Sequence, residues 1–213
     1  TYNSYSHIQN LERRKDIRQE SSTAVMYFRK RFFGRMITVR DKQFDVYLSQ
    51  VEIANEMERV ARNLMHDYRD STPIFLGILH GSFMFFSDLM KEYRLECEVG
   101  FLKASSYLGM ETTGRVKFHE AGELDLEGRD VILVEDIVDT GNTLKALHDH
   151  LKTHNPKSVK TCTLLFKKEA YKQNLPIDYV CFEVDNKFLL GYGLDYDGLG
   201  RNLPEVYILK EDL

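Results

Sequence analysis

The residues best suited to chemistry lie in one run, Val131-Ile132-Leu133-Val134-Glu135-Asp136-Ile137-Val138-Asp139-Thr140-Gly141-Asn142-Thr143-Leu144. Four apolar β-formers predict a strand buried on both faces, as in a parallel sheet. Three carboxylates are then expected where that strand ends. Asp-Thr-Gly-Asn-Thr turns into an amphipathic helix marked by Leu144, Leu147 and Leu151. Such a turn presents unpaired backbone N–H groups, two hydroxyls and a helix N-terminus to an anion, with acids close behind. That combination suits a ligand with a phosphate end and a metal- or hydroxyl-rich middle, such as a phosphorylated sugar. The plainer reading is a solvated strand end, with Asp139 serving as the cap of the following helix.

The elements that must carry this run follow from periodicity. Ser49-x-x-Glu52 has capping-box spacing, and Ile53, Met57, Val60, Ala61, Leu64 and Tyr68 continue it as a helix over about 50–69. Ile74 to Leu79 reads as a central strand, His80-Gly81-Ser82 as a tight loop, and Phe83 to Met90 as a helix. This βα unit offers a second candidate anion site at its turn. Glu98 to Leu102 predicts a further strand. From Ser105 to Lys117 the chain is polar and aperiodic, either a functional loop or in part a β-hairpin. Asn155-Pro156 stops the helix after the acidic run, and strands are predicted over 159–166, 178–184 and 205–209. Alternating strands and helices predict an α/β domain, a mostly parallel twisted sheet with helices on both faces.

Composition narrows the class. The 213 residues are 43% hydrophobic and 29% charged, as expected of one globular domain. Nothing approaches the roughly 18 consecutive apolar residues of a membrane span. Three cysteines, Cys97, Cys162 and Cys181, lack metal-ligand spacing, so reduced thiols in a cytoplasmic protein are expected. Residues 1–35 carry eight Lys/Arg against three Asp/Glu, whereas the whole chain has net charge −4. They lack a stable period, and we read them as a basic N-terminal extension outside a core domain of 36–213. A stretch upstream of the natural start, a nucleic-acid arm and a presequence are the readings for it; Glu12, Asp16 and Glu20 speak against a presequence. His148, His150 and His154 fall on a predicted helix. The 150/154 spacing suits a metal, but with no third ligand nearby solvated rings are expected.

The ordered string Glu135-Asp-Ile-Val-Asp-Thr-Gly-x-Thr143 resembles the 5-phosphoribosyl-pyrophosphate (PRPP) motif of the type I phosphoribosyltransferases. Three further segments resemble one subgroup, the hypoxanthine/guanine phosphoribosyltransferases. They are Leu79-His80-Gly81-Ser82, like its pyrophosphate loop; Ser106-Tyr107 with Thr113-Gly114, like its mobile loop; and Lys167-Lys168 with Lys187 to Tyr196 and Arg201 to Pro204, like its purine-binding segments. Gly191-Tyr-Gly-Leu-Asp-Tyr196 is the most specific of these. The resemblance covers about 36–213 and implies the type I fold with a small C-terminal hood. His80 departs from the Lys or Arg that members often carry there, and Asn142 from a Lys or Leu.

The resemblance implies the remaining roles. The protein would be a purine-salvage enzyme that transfers the phosphoribosyl group of PRPP to hypoxanthine or guanine. Xanthine is a further candidate base, IMP, GMP and pyrophosphate are the products, and Mg²⁺ is the cofactor. Glu135 and Asp136 would contact the ribose hydroxyls directly or through Mg²⁺, and Asp195 would hold a second metal. Asp139 would be the catalytic acid/base at the purine imidazole. Thr140, Gly141, Asn142 and Thr143 would hold the 5′-phosphate. Leu79, His80, Gly81 and Arg201 would bind pyrophosphate, with a cis peptide at Leu79-His80. Lys167 would select the 6-oxo group, since an ammonium donates but cannot accept. Phe188 would stack on the base and Leu189 would meet its edge. Homodimers or homotetramers are expected, with neither membrane nor nucleic acid as partner. The alternatives are a phosphoribosyltransferase-like regulator that binds nucleotides or RNA, supported only by the basic extension, and a magnesium-dependent receiver domain, which leaves the threonine-glycine loop unexplained.

Overall fold

Two sheets of different character divide the work, one carrying the strand-end loops and one capping them. The computed structural model describes residues 36–106, 116–121 and 124–210. The extension over 1–35, Tyr107 and Thr113-Gly114 lie outside the described residues.

The main sheet contains β3 (Ile74–Leu79), β4 (Glu98–Ser106), β5 (Val116–Ala121), β6 (Asp130–Val138), β7 (Ser158–Phe166) and β8 (Tyr179–Glu183). Its order is β5-β4-β3-β6-β7-β8, parallel throughout except for the antiparallel β4–β5 pair. The polar stretch after Ser105 is thus partly a hairpin, with Ser106 opposite Val116. The smaller sheet is antiparallel where β10 (Val206–Leu209) pairs with β2 (Lys42–Leu48) and with β9 (Leu189–Leu190), and β1 (Ile37–Val39) lies on its edge beside β2. This is the hood. Sequence periodicity missed β1, β2 and β9, although Phe44, Val46 and Leu48 do alternate.

Helices cover both faces of the main sheet because its strands are apolar on both. Val131 and Leu133 of β6 pack with Ile74, Leu76 and Ile78 of β3 against Leu144, Leu147 and Leu151 of α3 (Asn142–Lys152). Ile132 and Val134 face the other way, into a cluster with Phe75, with Ile53, Met57 and Leu64 of α1 (Gln50–Asp67), and with Phe85 and Leu89 of α2 (Phe83–Glu92). The α1 N-terminus is fixed by the expected capping box, Ser49 accepting from the Glu52 N–H and Glu52 from the Ser49 N–H. Such a cap contributes about 1 kcal/mol.

Two expectations need correction. Glu135 and Asp136 do not lie beyond the strand: β6 continues to Val138, with Glu135 opposite Thr163 and Ile137 opposite Leu165. His148 is not solvated. It is 4% exposed, with Nε2 2.9 Å from the Thr161 hydroxyl under the sheet. A helix face that must cover β7 also buries position 148, and the polar Thr161 beneath it gives the imidazole a partner. His150 and His154 keep partial exposure, their rings 5.2 Å apart.

Candidate active site

The sheet order creates one crevice. β3 leads through α2 to β4 on one side, whereas β6 leads through α3 to β7 on the other. At such a reversal the connections diverge and leave room beyond the strand ends. The loops after Leu79 and Val138 meet there.

The loop after β6 forms a candidate anion cradle. Residues Asp139, Thr140, Gly141, Asn142 and Thr143 line a cavity of about 100 Å³ together with Glu135, Ile137, Val138 and Leu144. Gly141 is the residue before α3, with φ of 81° and no side-chain cap on the helix. The first-turn N–H groups therefore lack intrahelical partners, and no side chain among the described residues caps the helix there. The alternative reading of Asp139 as helix cap is excluded, because Gly141 occupies that position. A side chain at Gly141 would also collide with the rings of Tyr171 and with Gln173. Gln173 donates to Asn142 Oδ1 at 2.8 Å, and Lys172 N–H bonds the Thr140 carbonyl at 3.2 Å. Residues 171–173 thus brace the cradle from outside. No local signal marks them.

Asp139 and Lys167 meet across the strand ends, Nζ to Oδ2 3.1 Å. Val138 is registered with Phe166 in the parallel β6–β7 pair, so the next residue of each strand emerges side by side. Lys167 is buried and Asp139 half-exposed at the cavity wall. Lys168 is exposed and pairs instead with Glu183 at 3.2 Å. Of the two lysines, Lys167 is thus the one beside Asp139.

Glu135 and Asp136 are held against burial. Desolvation, reinforced by the neighbouring Asp136 charge, pushes the Glu135 carboxyl well above the usual carboxylate range. Burial also raises Asp136, to about 6; backbone N–H groups and Arg201 oppose the rise, and Asp195 adds to it. Glu135 Oε2 is buried with no hydrogen-bond partner among the described residues. An adjacent carboxylate pair with an orphaned oxygen is a donor set that calls for a cation or for hydroxyl donors. Among the described residues no cluster of three side-chain ligands occurs. Mg²⁺ needs none, since one or two carboxylates suffice when water and substrate oxygens complete its shell. The residues fit that ion.

The loop after β3 closes the crevice from the other side. The Leu79–His80 peptide is cis, as expected. His80 is exposed; Ser82 is buried, and its hydroxyl donates to the Ile78 carbonyl at 2.7 Å. Gly81 lies directly on the Asp136 carboxylate, where any Cβ would overlap Oδ2. A Cβ on Gly193 would in turn strike the Gly81 carbonyl oxygen. Arg201 Nη1 donates to the Gly193 carbonyl at 2.7 Å, and its Nη2 lies 2.5 Å from Asp195 Oδ1. A cleft of about 410 Å³ opens beside Leu79, His80 and Arg201. Asp195 and Arg201 therefore border the acidic pair but are engaged with each other.

Phe188 is 42% exposed, which removes ordinary core packing as its explanation. Its ring lies edge-on to Tyr196 at 5.8 Å and near Phe44 at 6.2 Å. Leu189 is buried in β9, opposite Ile208. Ser106 ends β4; Tyr107 cannot be added to this geometry.

A model of the phosphoribosyl transferase domain matches residues 44–197. The chain belongs to that family. The hypoxanthine-guanine phosphoribosyltransferase of Aquifex aeolicus is 40% identical over 178 residues, 83% of this chain and 100% of that one. Its counterpart from Streptococcus mutans is 41% identical over 169 residues, 79% and 94% respectively. Among solved structures, a hypoxanthine-guanine phosphoribosyltransferase from Bacillus anthracis aligns with TM-score 0.73 and 36% identity, over 77% of this chain and 97% of its own. The hypoxanthine phosphoribosyl transferase of Trypanosoma cruzi aligns with TM-score 0.74 and 31% identity, over 82% and 95%. The α/β fold read from the sequence is thus that of this phosphoribosyltransferase family.

Proposed function

We propose that this protein is a Mg²⁺-dependent purine-salvage phosphoribosyltransferase that joins hypoxanthine or guanine to PRPP, giving IMP or GMP and pyrophosphate. The observation that carries the reading is the Asp139–Lys167 pair at the lip of the anion cradle. It sets a carboxylate beside an ammonium, which would serve as proton acceptor and 6-oxo donor for a base lying over the ribose. The uncapped α3 turn would grip the 5′-phosphate through Thr140, Gly141, Asn142 and Thr143. Glu135 and Asp136 would bind the ribose hydroxyls, directly or through the metal, and their negative charge would stabilise the cationic ring as pyrophosphate departs. The bond from ribose C1 to the leaving pyrophosphate oxygen breaks, and the electron pair leaves with that oxygen. A purine imidazole nitrogen forms the new bond, and its proton passes to Asp139.

When bound, Mg²⁺ supplies charge neutralisation to the departing diphosphate; Glu135, Asp136 and Asp195 are the residues that would hold it. Gly81 with the adjoining cis peptide, His80 and Arg201 would receive the pyrophosphate. Lys167 would donate to the 6-oxo oxygen once the base enters, Phe188 would stack on its face and Leu189 would meet its edge. Ser106 and Tyr107 would belong to the closing loop. No described helix is long and apolar enough to cross a membrane. The three free thiols fit a reducing compartment such as the cytoplasm, and a homo-oligomer is the proposed assembly. A binder without turnover is not favoured, because it has no need of the Asp139–Lys167 pair. Pyrophosphate release with hypoxanthine, guanine, xanthine and adenine, each with and without Mg²⁺, tests the reading. Metal-dependent release with 6-oxo purines and none with adenine is expected. No release with any 6-oxo purine would refute it.

A further inference from the structure

One buried phenol links the C-terminal glycine turn to the helix that starts at the pyrophosphate loop. Tyr192 stands between Gly191 and Gly193, with φ of 47° between values of 93° and 104°. That conformation disfavours a residue bearing a side chain, so something must hold it. Four backbone bonds close the turn: Gly191 and Leu194 each donate an N–H to the other's carbonyl, Tyr192 N–H donates to that of Leu203, and Gly193 N–H to that of Arg201. The ring is 3% exposed and packs among the residues of α1 and α2. Its hydroxyl donates to Asp88 Oδ2 at 2.6 Å, while Asp88 Oδ1 holds Lys91 at 2.7 Å. Burial and the Asp88 carboxylate both keep the phenol protonated and hence a donor.

The geometry assigns Tyr192, acting through Asp88, as a positioning residue that fixes the pyrophosphate loop against the C-terminal segment. α2 begins at Phe83, two residues after Gly81, so its placement sets that of the loop. Gly193, next to Tyr192, abuts the Gly81 carbonyl so closely that no Cβ fits between them. Arg201 holds the Gly193 carbonyl from the far side. Apolar packing would hold a phenyl ring in the same pocket but would leave its position along α2 undetermined. The hydroxyl on Asp88 selects one position, and so aligns Gly193, Gly81 and Arg201 around the diphosphate. The inference rests on the function proposed above for the loop, and it concerns binding of the diphosphate rather than of the base.

Tyr192→Phe keeps the ring and removes the bond. Its KM for PRPP should rise about tenfold, the scale of one charge-assisted hydrogen bond partly transmitted to the loop, while KM for hypoxanthine stays within about twofold. Calorimetric titration with magnesium pyrophosphate should show the same loss. Asp88→Asn retains an acceptor oxygen and should restore near-normal binding; Asp88→Leu should resemble Tyr192→Phe, and the double variant should lose no more than either alone. Should Tyr192→Phe lack a cooperative thermal transition, Asp88→Leu carries the test. Unchanged pyrophosphate affinity in the folded variant, or an equal rise in both KM values, would overturn the inference. A wild-type protein that binds magnesium pyrophosphate but turns over no purine would refute the proposed activity and leave this test standing.

Discussion

Asp136→Asn should make the protein more stable while impairing it as a catalyst, and the gain should depend on pH. The Asp136 carboxyl has its pKa raised from 3.8 to about 6 chiefly by burial. At roughly 1.4 kcal/mol for each pH unit, that difference corresponds to about 3 kcal/mol by which ionisation opposes folding above pH 6. The sign follows from proton binding. The folded protein holds the proton more tightly than the unfolded chain, so this group favours folding below 3.8. That contribution is lost as pH rises through about 6 and stays lost above it. An amide carries no charge to desolvate and can still accept from the backbone N–H groups. The variant should therefore gain about 1–3 kcal/mol at pH 8, or about 3–10 °C in Tm for a protein of this length. At pH 5 about half of the gain should disappear, because wild-type Asp136 is then largely protonated in the folded state. Differential scanning calorimetry at pH 5, 6.5 and 8 measures it. A gain that is the same at all three values, or a loss at pH 8, would show that the carboxylate is not held against burial. Magnesium pyrophosphate should narrow the difference by stabilising the wild type more than the variant.

Two further perturbations probe other parts of the molecule. Asp139→Ala should lower kcat by roughly 10²–10⁴ with an unchanged far-ultraviolet spectrum, since Asp139 caps no helix and pairs, among the described residues, with Lys167; full turnover in a pyrophosphate-release assay would remove it as proton acceptor. His148 has its pKa lowered from 6.5, mainly by burial, so the unfolded chain takes up its proton first and stability falls as pH drops below 6.5. In urea titrations at pH 7.5 and 5.5, His148→Gln should flatten that fall while keeping a partner for Thr161. The comparison is cleanest with Asp136→Asn present in both proteins, because Asp136 titrates with the opposite sign in the same range; an equally steep fall would rule His148 out.

What could be read from the chain was what local order encodes. α1 announced itself through a capping box and a stripe of apolar residues, and both ends of β3 and β7 fell within a residue or two of expectation. The turn of the candidate anion cradle was legible because strand, turn and helix are consecutive, so its geometry is a property of one segment. The hood was not, because β1, β2 and β9 gain their order by pairing with β10 or with one another, partners up to the far end of the chain. His148 was misjudged for a related reason. Its burial depends on Thr161, a residue of the next strand whose hydroxyl makes an imidazole acceptable in the interior.

The site shows the same division between local and distant order, and also how far it can be narrowed. The stack of Asp136, Gly81 and Gly193 joins three segments that are separate in sequence, and no spacing rule predicts it. The Asp139–Lys167 pair differs. Once β6 and β7 are taken as parallel neighbours of equal length, their last residues, Val138 and Phe166, stand opposite, and the two residues that follow must emerge together. Sheet order and register, rather than any motif, bring Asp139 to Lys167, the residues proposed as proton acceptor and base-selecting donor. A change that slips β7 by one residue would exchange Lys167 for Lys168 or Phe166 at that point without altering any catalytic side chain. Register in this sheet is therefore a determinant of the proposed chemistry. The buried Thr161 of β7, bonded to His148 of α3, is a polar anchor that a one-residue slip would turn to the wrong face.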